Sequence, residues 1–229
     1  MANHPRYAIY YAPSSDSALH RFGSTLLGYD AANGEDLPFP DGVTADWREV
    51  TQDPRKYGFH ATLKAPMALA GGTREADLLD ACAAFAGRIR RIPVIDPVVD
   101  AISGFIAVIP AKRSDELEQL AADCVRDFDC FRPPLTPEDR ARRNPAKLTA
   151  RQCDYLDRWG YPYVMEEFRF HMTLTGRLND ERRGPIAAWL RERFAATGLT
   201  TLAIDRIALF RQDDAASRFR IIGSWPLRA

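Results

Sequence analysis

The chain has 229 residues, 46% hydrophobic and 27% charged, with 31 lysines and arginines against 31 aspartates and glutamates. That length makes one large domain or two small lobes, with enough chain to bury a core. The balanced charge argues against a protein that coats nucleic acid non-specifically, because that affinity is mainly phosphate neutralisation.

No stretch approaches the roughly 20 apolar residues of a membrane span, so no membrane partner is expected. The opening "MANHPRYAIYYAP" lacks a charged region followed by a long apolar run, so no signal peptide is predicted and a cytoplasmic location is expected. The cysteines Cys82, Cys124, Cys130 and Cys153 form neither a Cys-x-x-Cys pair nor a Cys/His cluster. They are read as inert thiols, with no metal or other cofactor expected.

In chain order, residues 7–13 ("YAIYYAP") read as a strand ended by proline. Residues 14–28 read as a helix, with Leu19, Phe22 and Leu26 at helical spacing and Gly28 as its stop. After a Gly/Asp/Pro-rich loop comes a strand over 57–67 ("YGFHATLKAPM"), then an amphipathic helix over 73–91 with Thr73 as cap. A proline-interrupted strand over 93–103 follows.

The order then recurs. Residues 105–111 ("FIAVIPA") match the first strand, and 114–128 the first helix, down to Ser15-Asp16 against Ser114-Asp115. Residues 168–178 ("FRFHMTLTGRL") repeat the motif strand, 180–198 the second helix, and 202–212 the third strand; a last strand covers 219–227. The pattern predicts an α+β fold of two similar lobes. Antiparallel-type sheets flank a central cleft, helices lie outside, and a pseudo-twofold axis relates the halves. The expected organisation is a single bilobal domain over 1–229. Its repeats lie near 5–104 and 105–229, with strands open to exchange between lobes, and a monomer is favoured.

Residues 131–167 break the symmetry as an insertion carrying Arg132, Arg140, Arg142, Arg143, Lys147 and Arg151. It is either a solvated helical excursion or a cationic wall over an anionic substrate. Trp159, Tyr161 and Tyr163 either touch the substrate or pin the insertion.

"FHATL" at 59–63 and "FHMTL" at 170–174 use two of the chain's four histidines. On a strand, Phe59, Ala61 and Leu63 point to one face and His60 and Thr62 to the other; Phe170, Met172 and Leu174 oppose His171 and Thr173 in the same way. One such motif alone is an ordinary surface pair, but two in duplicated halves converge on one cleft. Two histidines flanking a phosphorus can serve as general base and general acid in an in-line displacement. The threonine hydroxyls can hold the non-bridging oxygens. Lys64 and Arg169 share parity with the histidines and are either phosphate contacts or surface charges. Of the first-strand tyrosines, Tyr7 and Tyr11 share a face opposite Tyr10, and Tyr11 is carried as a substrate contact against the rival reading of core packing. Asp96 and Asp205 are read as turn residues, while His4 and His20 lack a threonine partner.

With two His-x-Thr-Leu motifs on duplicated lobes, the chain resembles the two-histidine (2H) phosphoesterase superfamily, which includes RNA 2′,3′-cyclic phosphodiesterases. "YGFHATLKAP", "WGYPYV" and "FRFHMTLTGRL" are similar to a bacterial branch described as phosphonate-metabolism proteins. The resemblance implies a hydrolase acting without a cofactor, with His60, Thr62, His171 and Thr173 catalytic. It implies a small anionic phosphate ester as substrate, with RNA ends a second class of partner. Lys64, Arg169, Tyr11, Arg142 and Arg143 are the candidate substrate contacts. The alternative is a non-catalytic module that binds a phosphorylated ligand.

Overall fold

The computed structural model describes residues 4–229. Strand β1 (Arg6–Tyr11) leads into helix α1 (Ala18–Leu27), where the Ser17 side chain accepts the His20 amide and Gly28, at φ 66°, closes the last turn. A small hairpin, β2 (Tyr29–Asp30) and β3 (Glu35–Asp36), and two short helices, α2 (Trp47–Val50) and α3 (Gln52–Arg55), precede the first motif strand β4 (Ala61–Met67). Helix α4 (Glu75–Ala86) follows, then β5 (Val94–Ile95), β6 (Pro97–Ile102) and β7 (Phe105–Pro110). Helix α5 (Asp115–Asp127) leads into the insertion, which holds α6 (Pro137–Arg142) and α7 (Ala150–Trp159). The chain ends with β8 (Met172–Thr173), α8 (Asp180–Ala195), β9 (Leu202–Ala203), β10 (Arg206–Gln212) and β11 (Arg220–Pro226).

The fold combines helices with antiparallel sheet, as the repeat predicts. The two expected sheets are, however, one seven-stranded ladder in the order β11-β10-β1-β4-β8-β7-β6. The third strand of each repeat pairs with the first strand of the other: β10 with β1, and β6 with β7. A separate two-stranded ladder joins β5 to β9. Asp96 and Asp205 sit where each third strand is interrupted, and their carbonyls accept the amides of Ala111 and Leu227.

Alternation along β1 divides the interior. Tyr7, Ile9 and Tyr11 enter the larger core, with buried residues of α1, α4, α5 and α8, while Ala8 and Tyr10 enter a smaller one with Tyr29, Ala208, Phe210 and Phe219. Several boundaries differ from expectation: α1 starts at Ala18 rather than 14, and α4 ends at Ala86 rather than 91. The first motif strand starts at Ala61, not 57. Arg74, not Thr73, caps α4, because the Thr73 hydroxyl donates to the Ala70 carbonyl. The second motif strand keeps only two residues: the Thr175 hydroxyl takes the Ile106 amide, and Leu174 and Thr175 both donate to the Ile106 carbonyl, so the ladder is used up at once.

Helix α1 rests on the motif through Gly23, where a Cβ would lie 2.1 Å from the Phe59 ring. Gly23→Ala is expected to lower stability by about 1–3 kcal/mol through overpacking, although alanine gains about 1 kcal/mol in helix propensity. Urea denaturation checks this, and an unchanged midpoint would mean that Phe59 moves aside freely.

Candidate functional site

The two motif strands meet at one backbone pair, Ala61 with Met172. Continued by one residue each way, this antiparallel register sets Thr62 opposite His171 and His60 opposite Thr173. All four point away from the face on which Phe59, Ala61, Leu63, Phe170, Met172 and Leu174 are buried. The histidines occupy diagonal corners of this square, a spacing of about 7–8 Å. A phosphorus can stand between two imidazoles at that separation.

Each imidazole is held in the same way. Nδ1 of His60 is 2.9 Å from the Gly58 carbonyl, and Nδ1 of His171 is 2.7 Å from the Arg169 carbonyl. A carbonyl only accepts, so Nδ1 carries the proton and Nε2 of the neutral ring is the free base. Gly58 allows the first contact: its φ is 76°, and a Cβ there would press to 2.6 Å from that of Ala31. The Thr62 hydroxyl lies 3.4 Å from Nε2 of His60. Burial pushes His60 down from 6.5 to about 4, with the bond to Gly58 opposing and the charge of His171 adding to the fall. Burial also lowers His171, against the bond to Arg169.

A cavity of about 410 Å³ opens beside the square. Thr62 and His171 line it, whereas His60 and Thr173 do not. Phe105, Phe168, Arg169 and Arg177 form its end near His171, and Gln152, Tyr161, Tyr163 and Met165 bring the insertion to it. Arg169 and Arg177 are exposed there and enter no ion pair among the described residues. Sequence reasoning passed over Arg177, Phe105 and Gln152, which carry no motif of their own. Among the described residues, no three His, Cys, Asp or Glu side chains are grouped so as to hold a metal ion, and no helix is long and apolar enough to cross a membrane.

Arg169 lines the cavity as a phosphate contact would. Arg143 lies over the ring of cavity-lining Tyr161, its Cζ 5.0 Å from the centroid. Arg142 does not reach the cavity and pairs with Asp139, one turn back on its own helix. Arg140 likewise pairs with Asp157 at 2.6 Å, and Arg151 with Glu167 at 3.8 Å. Much of the insertion's charge is thus neutralised internally, and its share of the cavity is largely aromatic and apolar.

Lys64 and Tyr11 require correction. The β1–β4 register runs Tyr11 to Ala61, Tyr10 to Thr62, then Ile9 to Lys64. This bulge adds a residue to β4 and turns Lys64 onto the Ile9 face. There its Nζ is buried, donating to Asp129 at 2.7 Å and to the Val125 carbonyl at 3.1 Å. Tyr11, 2% exposed, is core on that same face. Tyr10 is the tyrosine that meets the site, its ring stacked on His60 with centroids 3.8 Å apart.

The Lys64 ammonium is pulled below its ordinary range by burial, against the bond and charge of Asp129. Burial pushes the Asp129 carboxyl up, but bonds from Arg132 and Lys64 outweigh it and hold the group low. Lys64→Met should cost on the order of 2 kcal/mol, moderated because Arg132 still pairs with Asp129 at 3.0 Å. Thermal unfolding measures this, and no loss would return Lys64 to the status of a surface charge. A pH series tests His60. Its folded value is depressed, so the stability it contributes is full above 6.5 and falls as pH drops toward 4. His60→Ala should flatten that part of the curve, and an unchanged slope would place the titration elsewhere.

The family model described as "Protein of unknown function (DUF1045)" matches residues 62–220. Two curated relatives are named ribose 1,5-bisphosphate phosphokinase PhnN. The protein from Janthinobacterium sp. (strain Marseille) is 38% identical over 221 residues, covering 93% of this chain and 49% of the relative. The one from Laribacter hongkongensis (strain HLHK9) is 32% identical over 218 residues, covering 94% and 50%. The chain thus spans about half the length of the curated relatives it matches. Among solved structures, E. coli LigT complexed with NADP+ is similar over 100% of both chains, at 16% identity and a TM-score of 0.44. A structure titled as a phosphoesterase covers 99% of this chain and 100% of its own, at 14% identity and a TM-score of 0.43. The family match takes in both threonines of the square and His171, and the chain belongs to the DUF1045 family.

Proposed function

We propose that the chain hydrolyses a small cyclic phosphodiester, with the histidines as base and acid. The observation that carries this reading is the matched tethering of two diagonal imidazoles, each bound through Nδ1 to the carbonyl two residues earlier, with Nε2 free.

The more depressed His60 takes the base role and His171 the acid role. Nε2 of His60 removes a proton from water as the water oxygen bonds to phosphorus. The ring P–O bond breaks on the opposite side, and the departing oxygen receives a proton from Nε2 of protonated His171. The products are a phosphomonoester and a free hydroxyl, with His60 protonated and His171 neutral until both exchange with solvent. Thr62 and Thr173 steady the non-bridging oxygens. An anionic substrate raises His171 toward protonation, aided by no neighbouring carboxylate among the cavity's residues except Glu167.

Of the substrate classes that fit, a ribose cyclic phosphate is favoured over a 2′,3′-cyclic nucleotide end. The PhnN relatives are named for a ribose bisphosphate, and opening a cyclic phosphate on ribose 5-phosphate would give a ribose bisphosphate. The chain contains no G-x-x-x-x-G-K-S/T phosphate loop of the kind many kinases use. A place beside phosphonate metabolism, in the cytoplasm, fits the same reading.

The test is turnover of ribose cyclic phosphates and 2′,3′-cyclic nucleotides in EDTA by the wild type, His60→Ala and His171→Ala. Loss of about 10²-fold or more in both variants is expected. Ligand binding that survives both, without turnover in the wild type, would make the protein a binding module. In the free protein both histidines lie below 6.5, so kcat/KM should peak on the acid side of that value and fall as His60 protonates near 4. The kcat profile should lie to the alkaline side of it, and a monotonic profile would overturn the two-histidine mechanism.

A further inference from the structure

The two halves of the site are not equivalent, and β1 carries the difference. Thr62 faces Tyr10 across the ladder, whereas Thr173 faces Ala107. Tyr10 is 1% exposed, and its ring stacks on His60 at an interplanar angle of 23°. Behind it stand Phe210 at 4.8 Å and Phe219 at 6.4 Å, and Phe219 is itself stacked on Tyr57 at 5.1 Å. His60 also lies 6.0 Å from Tyr57 and 5.8 Å from Phe210. His171 has one ring partner, half-buried Phe105, tilted at 5.5 Å.

We infer that Tyr10 is the positioning residue that separates the roles of the two histidines: its ring fixes the His60 imidazole and covers one face of it against water. The inference rests on the two-histidine reading for its consequence in turnover, but not for its geometry. The groups facing His60 agree with it. Tyr10 and Phe210 from the neighbouring strands and Tyr57 from the preceding loop are uncharged, and His171 from β8's side is the one other titratable group acting on it. The guanidinium of Arg6 lies over Phe219, 5.4 Å from its centroid. Aromatic packing therefore contributes to the burial that favours the neutral form of His60, and the stacked ring is on this half of the site.

The experiment is a proton NMR titration of the His60 Hε1 resonance in the wild type, Tyr10→Phe and Tyr10→Leu, assigned with His60→Ala, beside kcat and KM on the cyclic phosphate panel. Ring current from Tyr10 should move the wild-type resonance upfield of that of His171. Tyr10→Phe should keep both that displacement and the titration midpoint. Tyr10→Leu should lose the displacement, raise the midpoint by roughly one unit or more, and lower kcat by on the order of ten- to a hundredfold with KM little changed. A folded Tyr10→Leu protein with the wild-type midpoint overturns the inference, as does a Tyr10→Phe shift equal to that of Tyr10→Leu. If Tyr10→Leu does not fold, the wild-type and Tyr10→Phe spectra decide, and absence of an upfield displacement overturns it. If no cyclic phosphate is turned over, the enzymatic reading fails while the titration still reports on Tyr10.

Discussion

One backbone contact holds the site together: the pairing of Ala61 with Met172 at the centre of the seven-stranded ladder. Each motif histidine directly precedes one of these residues and each motif threonine directly follows. Where this pair forms, antiparallel geometry places the four polar side chains on one face and the six apolar ones on the other. A slip by one residue would bury the histidines and expose Phe59 and Phe170. The apolar residues of the motif therefore set the positions of the polar ones.

Such a short contact needs support from elsewhere. The supporting pairs are reciprocal: β10 beside β1, β6 beside β7, and β5 against β9. Neither repeat can complete its part of the sheet without a strand from the other. The register of one motif strand is thus tied to folding of the opposite half, as the proposed site, with one histidine from each repeat, requires. Buried Lys64 adds a further tie. Its charge reaches Asp129 at the end of α5, and Asp129 binds Arg132, whose guanidinium also donates to the Arg158 carbonyl at 3.2 Å. Buried polar links of this kind fix one arrangement among alternatives more than they add net stability.

Much of this was legible in the sequence because it rests on short-range periodicity. The duplicated order of elements, the Gly28 end of α1, and the two faces of each motif all follow from spacing and residue type. Parity failed at Lys64 because it assumes an unbroken pleat, and the bulge between Ile9 and Tyr10 changes the count. The second motif strand was overextended because a side chain, Thr175, takes a backbone position in the ladder. The alternation separating Tyr10 from Tyr11 was also read, but the face that meets the histidines depends on the phase of β1 against β4. That phase is a long-range property of the pairing, absent from either segment alone.

A symmetric pair of histidines has a chemical difficulty that the fold resolves. Base and acid must differ in protonation at the same moment, yet duplicated strands tend to give both the same environment. The tethers to Gly58 and Arg169 preserve the sameness in orientation, and only the surroundings differ. The side chain opposite each threonine is where they diverge: a tyrosine backed by Phe210 and Phe219 in one half, an alanine in the other. The ring covers one face of the His60 imidazole and disfavours its charged form. His171 stands beside the cavity with Arg169 and Arg177, which enter no ion pair among the described residues. On the proposed mechanism, an anion held there favours protonation of His171, the histidine that lines the cavity, more than of His60. On the proposed mechanism, the residue at this one strand position is what gives the two histidines of the duplicated motif unlike surroundings.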